Sequence, residues 1–161
     1  AQTSAERVVR ADHLLDPAAF RTITDGPYLA LEPQPGREAE VAAALLKPHA
    51  NMECWRKGEI PAEFAYGSHP RIPSFLCLAR SGWVVLGGEP RYSPTGGAHG
   101  YDHRDPAMKA LFIASGPAFK SGLTLPIFDN VEVYSLLAEV LGVTPEPSDG
   151  RPETLAPALR D

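Results

Sequence analysis

Apolar positions along this chain fall in short runs, set apart by polar stretches that proline and glycine punctuate. Val8-Val9, Thr22-Ile23-Thr24 and Tyr28-Leu29-Ala30-Leu31 each read as a short strand, and Met52–Arg56, Phe75–Ala79 and Trp83–Leu86 follow in the same style. The last two are joined by Arg80-Ser81-Gly82, a tight polar connection that predicts a hairpin. Between them the pattern changes period. Residues 37–47 carry Ala42, Ala43, Ala44, Leu45 and Leu46, all good helix formers, with Glu38 and Glu40 at the start and Lys47 at the end. Those charges suit the helix dipole, and Pro48 stops the helix. Leu111 to Ala114 reads as a buried strand. A final helix opens near Asp129 and Asn130, with Val133, Leu136, Leu137, Val140 and Leu141 at helical spacing. Gly142 stands at its stop and Pro145 bars continuation. Strands mixed with helices make the fold class α/β.

Composition adds loops to this picture. There are 17 Pro and 14 Gly in 161 residues, without repeats or runs, so short elements are linked by many turns. The length suffices for one core. A formal net charge of −5 argues against a surface for macromolecular nucleic acid, which needs clustered Lys and Arg. No apolar run approaches the roughly 18 residues of a membrane span. The start, Ala1-Gln2-Thr3-Ser4-Ala5, is short and polar, with no signal-peptide core. Cys54 and Cys77 sit in apolar segments that can pair as neighbouring strands. A disulfide is open to them, although two buried thiols are the commoner outcome for such residues.

The chemistry concentrates in Gly97-Ala98-His99-Gly100-Tyr101-Asp102. Glycines flank a single histidine and leave room for an ion, so His99 is the candidate metal ligand. A lone histidine in a polar loop is more often a surface group. Asp102 has two readings: it orients the His99 ring from behind, or it turns the loop by bonding to backbone. His103 follows His99 by four residues, but Gly96, Gly97 and Gly100 make a shared helix face improbable, and His103 reads as exposed. His69 and Arg71 either line a site mouth or belong to a surface loop shaped by Pro70 and Pro73. His13 and His49 join no constellation.

The stretch Gly97 to Lys120, GAHGYDHRDPAMKALFIASGPAFK, closely resembles the last conserved block of the nucleotide pyrophosphatase/phosphodiesterase family, a branch of the alkaline phosphatase superfamily. Three more segments are similar to that family's: Glu59–Tyr66 with Arg71-Ile72-Pro73, Asn130–Leu137 with Leu141-Gly142-Val143, and Pro145–Gly150 with Leu155. The resemblance covers residues 6–160 in order and spacing. His103 departs from the family's Asn.

This resemblance implies that residues 1–161 form the C-terminal part of a single catalytic domain, an alkaline-phosphatase-like sandwich with a central, mostly parallel sheet. It implies a hydrolase of phosphodiester or pyrophosphate bonds that uses two zinc ions and a phospho-threonine intermediate. The substrate is then a nucleotide or another small diester, and the place extracellular or periplasmic. Only His99 matches one of the family's metal ligands. The nucleophile is expected on the N-terminal portion of the same enzyme, the implied partner, so the chain alone is expected to be inactive. The apolar Val8-Val9, Phe75–Ala79 and Leu111–Ala114 segments call for neighbours on both sides. Other readings are a superfamily hydrolase of phosphonates or phosphomonoesters, and a non-catalytic accessory module.

Overall fold

The computed structural model describes residues 1–160, and its backbone divides into two compact units, Ala1–Ala110 and Leu111–Asp161. In the first unit the strands are β1 (Gln2–Thr3), β2 (Val8–Arg10), β3 (Phe20–Thr24), β4 (Tyr28–Pro33), β5 (Met52–Arg56), β6 (Phe75–Ala79), β7 (Val84–Leu86) and β8 (Gly96–Gly97). Its helix α1 spans Glu38–Leu45.

The largest sheet runs β3-β4-β6-β5 and every pairing in it is antiparallel. The mostly parallel central sheet is expected of the whole domain; the largest sheet that this chain builds is antiparallel. The cause of the β3–β4 pairing is local: three residues, Asp25-Gly26-Pro27, separate the strands, too few for a parallel crossover. Parallel pairing is confined to β2 with β7, in the register Val8↔Val84, Val9↔Val85, Arg10↔Leu86. The expected hairpin between Phe75–Ala79 and Trp83–Leu86 is also absent. Trp83 N–H closes a turn on Arg80 O at 2.9 Å, but β4 and β5 already occupy both edges of β6. The chain after the turn therefore leaves the sheet and pairs with β2.

Packing follows from the apolar faces. Leu29 and Leu31 of β4, Phe75 and Cys77 of β6, Val85 of β7, and Val41 and Leu45 of α1 are fully buried in one cluster. Each such side chain contributes roughly 1.5–3 kcal/mol by leaving water. Helix α1 forms where the sequence predicts it. Arg37 at its start pairs with Glu40 and with Asp16, and Leu46 N–H closes the last turn on Ala42 O. Half-buried Trp83 packs against this core, while Trp55 lies 5.6 Å from Phe64.

Cys54 and Cys77 stand directly opposite each other across β5 and β6, with Cα atoms 4.0 Å apart, and form a disulfide. The commoner outcome of two free thiols is thereby corrected. Opposition in register is what a sequence of separate strands does not reveal.

In the second unit, helix α2 spans Glu132–Leu141 and α3 Pro152–Leu155. Gly142 ends α2 with a φ of 65°, as expected, but Asn130 supplies no side-chain cap. Only part of the predicted apolar face packs. Leu136 meets Leu155 and Leu159, with Val133 beside them, whereas Leu137 and Leu141 are 52% and 73% exposed. Glu132 fixes this rotation, since its carboxylate accepts from Arg151 N–H on the returning chain.

Leu111 to Ala114 is not a buried strand. Phe112 packs edge-on against Phe128 at 5.2 Å, while Leu111 and Ile113 are 84% and 77% exposed. No strand pairs with this run among the described residues, so alternation leaves every second side chain outside.

Candidate functional site

His99 sits on an exposed loop that the first unit holds at both ends. Before it, β8 pairs with β1 (Gln2↔Gly97, Thr3↔Gly96). Ala98 and Ala1 exchange backbone bonds, Ala98 N–H to Ala1 O at 2.8 Å and the Ala1 nitrogen to Ala98 O at 2.6 Å. After it, Tyr101 is buried and donates its hydroxyl proton to Trp83 O at 2.7 Å. Burial pushes the Tyr101 phenol upward, so it remains a donor at neutral pH. Gly100 lies between these anchors at φ 106°, a conformation that requires glycine, and its α-carbon faces the Tyr28 ring.

Asp102 turns the loop. One carboxylate oxygen accepts from Arg104 N–H at 2.9 Å, and the guanidinium binds both oxygens, with Nη2 at 2.7 Å. That guanidinium pulls the Asp102 carboxyl down to about 2. The carboxylate considered for orienting His99 is thus engaged by Arg104. Asp105 continues the turn by accepting from Ala107 N–H at 2.8 Å, and Ser81 and Ala107 hold its carboxyl below the ordinary range.

His103 is exposed, as expected, and its ring stands edge-on to Phe64. His69 and Arg71 lie together on an exposed loop, where Arg71 N–H donates to His69 Nδ1 at 3.1 Å. Ala65 opens that loop in the left-handed region, with φ 46°. Tyr66 follows, and its phenol is raised by burial and by the neighbouring Tyr28. Tyr28 therefore borders both Tyr66 and the glycine after His99. In the sequence Tyr28 is an ordinary strand residue, with no motif to mark it. Its place at the start of a strand, directly after Gly26-Pro27, is the signal for it in the sequence.

The same loop walls a cleft of about 890 Å³. Tyr101, Asp102 and Arg104 line it together with Trp55, Phe64 and Leu78. The Arg104 guanidinium lies over the Phe64 ring, 5.3 Å from its centroid. His99 is not among the residues lining this cleft.

Among the described residues, no three His, Cys, Asp or Glu side chains gather into a group able to hold a metal ion. Zinc takes about four donors. The described residues therefore do not by themselves fit a zinc ion.

Residues 1–102, including His99, match the family model for type I phosphodiesterase / nucleotide pyrophosphatase. The chain belongs to this family. Ectonucleotide pyrophosphatase/phosphodiesterase family member 7 of Rattus norvegicus is 38% identical over 141 residues, which is 88% of this chain and 32% of that protein. Bis(5'-adenosyl)-triphosphatase ENPP4 of Homo sapiens is 31% identical over 149 residues, 92% of this chain and 32% of that protein. Among solved structures, human ectonucleotide pyrophosphatase / phosphodiesterase 5 superposes with a TM-score of 0.88 at 28% identity, covering 100% of this chain and 43% of that one. The chain thus spans about a third of the length of these curated relatives.

Proposed function

We propose that this chain is part of a phosphodiesterase that hydrolyses phosphodiester or pyrophosphate bonds in nucleotides or related small diesters. In this reading His99 gives one nitrogen donor to a zinc site. The other donors of two zinc ions, and a threonine nucleophile that forms a phospho-threonine intermediate, lie on polypeptide outside these 161 residues. Bound zinc would supply charge neutralisation at the phosphate oxygens. The chain's own contribution is to hold His99 at a fixed place, through the β1–β8 ladder, the Tyr101–Trp83 bond and the Asp102–Arg104 turn.

The family match over residues 1–102 carries this reading. Geometry supports it: the β1–β8 ladder before His99 and the buried Tyr101 after it hold the loop at both ends. The disulfide suits an oxidising compartment, and an extracellular or periplasmic place belongs to the proposal.

The test compares the protein as its source makes it with the purified 161-residue chain, using a nitrophenyl phosphodiester at fixed free zinc. Turnover is expected in the natural protein and not in the 161-residue chain. A natural protein that binds no zinc and turns over no diester would refute the reading. Zinc-dependent turnover by the 161 residues alone would refute the claim that the nucleophile lies elsewhere.

A further inference from the structure

Tyr28 opens β4 on the face turned away from α1. Leu29 and Leu31 enter the buried cluster that α1 joins, and alternation sends Tyr28 to the other side, beside its register partner Leu78. The His99 loop passes over the Tyr28 ring. A side-chain carbon placed on Gly100 would meet that ring at 3.8 Å. Tyr28 thus adjoins the residue that follows His99.

Tyr66 approaches the same ring from another segment. Residues 65–71 are exposed along their whole length, yet the Tyr66 phenol is partly desolvated and stands close enough to Tyr28 to feel its charge. Ala65, directly before it, is the one non-glycine with a positive φ among the described residues. Backbone strain of this kind persists only where the surroundings hold it, and it gathers at ligand sites. Tyr101 and Tyr134 engage backbone groups with their hydroxyls, whereas those of Tyr28 and Tyr66 have no partner among the described residues. No buried polar side-chain atom lacks a partner among the described residues, so the Tyr28 oxygen opens to solvent. Two phenols with free hydroxyls therefore meet beside the His99 loop.

We propose that Tyr28 and Tyr66 form a subsite for a flat aromatic group esterified to the phosphoryl centre of the substrate. An ester group leaves phosphorus through one oxygen, so with the phosphoryl group at His99 the organic group comes within reach of these rings. Tyrosine suits the contact. Its ring stacks on a flat group or meets it edge-on, and its free hydroxyl hydrogen-bonds polar atoms at that group's rim. The subsite rests on the functional reading above, which puts the phosphoryl group at His99, and it adds the residues that select what the phosphate carries.

Steady-state kinetics on the protein as its source makes it, and on its tyrosine variants, tests this. Bis(p-nitrophenyl) phosphate is the substrate and inorganic phosphate the competing inhibitor. Tyr66→Leu and Tyr28→Leu are each expected to raise KM for the diester about 5–10-fold while kcat stays within about twofold. Inhibition by phosphate should not change, because phosphate carries no aromatic group. Tyr66→Phe keeps the ring and should keep KM close to wild type. Tyr66 lies on an exposed loop outside every strand, so its leucine variant decides alone if Tyr28→Leu does not fold. An unchanged KM would overturn the proposal. Phosphate inhibition weakened in step with KM, or a kcat lost with it, would overturn it too, by showing that the tyrosines only shape the His99 loop. Wild-type protein without diester turnover would sink the functional reading and the subsite with it. Wild-type turnover with indifferent tyrosines would sink the subsite alone.

Discussion

Three residues around the His99 loop carry the sharpest local expectations. Asp102 is held near 2 by Arg104, below its ordinary 3.8. A carboxyl lowered on folding stabilises the fold above its unfolded value, and that contribution disappears as pH falls from about 4 to about 2. Arg104→Gln should move the Asp102 midpoint up towards 3.8, which carboxyl NMR titration reads directly. The second residue is Ala65, a non-glycine at φ 46°. Ala65→Gly relieves left-handed crowding and costs unfolded-state entropy, for a net gain of about 0.5 kcal/mol in denaturant unfolding. A loss of stability would mean that the Ala65 methyl packs more than the backbone strains. The third is His99. In the natural protein His99→Ala should lower zinc content and cut turnover steeply, whereas His103→Ala, exposed against Phe64, should do far less. Equal small effects would make His99 a surface histidine. The motif made His99 visible in the sequence, but Arg104's hold on Asp102 was not visible, because a salt bridge two residues long depends on a turn that no pattern announces.

At the scale of elements, period and punctuation located most strands and both longer helices, while partners and exposure escaped. Val84–Leu86 was recognisable as a strand from its apolar run, yet its pairing with β2 followed from occupied edges on β6, which is information about other segments. Helix α2 shows the same limit: its apolar stripe is wide, and the bond from Arg151 N–H to Glu132 chooses which part of it packs. Consecutive leucines in and after α1 offer a test of such choices. Leu45 is fully buried and Leu46 is 38% exposed. Leu45→Ala should cost about 3 kcal/mol and Leu46→Ala under about 1 kcal/mol in equilibrium unfolding. The disulfide staples β5 to β6 over a sequence separation of 23. Replacing both cysteines by alanine should cost about 3 kcal/mol, and reductant should lower the wild-type midpoint to a similar degree while leaving the variant unmoved.

For the molecule as a whole, family membership was legible in order and spacing of motifs, because spacing survives where single residues drift. Sheet direction was not legible, since the family's central sheet need not be the part that this chain builds. The division into two compact units has an optical consequence. Trp55 and Trp83 are the chain's two tryptophans, and both belong to the first unit. Indole emission on heating or in denaturant therefore reports on residues 1–110, with Trp83 sensing the Tyr101 bond behind His99. The second unit carries Phe112, Phe119, Phe128 and Tyr134 as its aromatic residues and stays dark under selective tryptophan excitation. Its α2 still contributes to far-ultraviolet circular dichroism. Superimposable melting curves from the two signals would mean that both units unfold together. A dichroism change that leads or trails the emission would mark the second unit as a separate cooperative block.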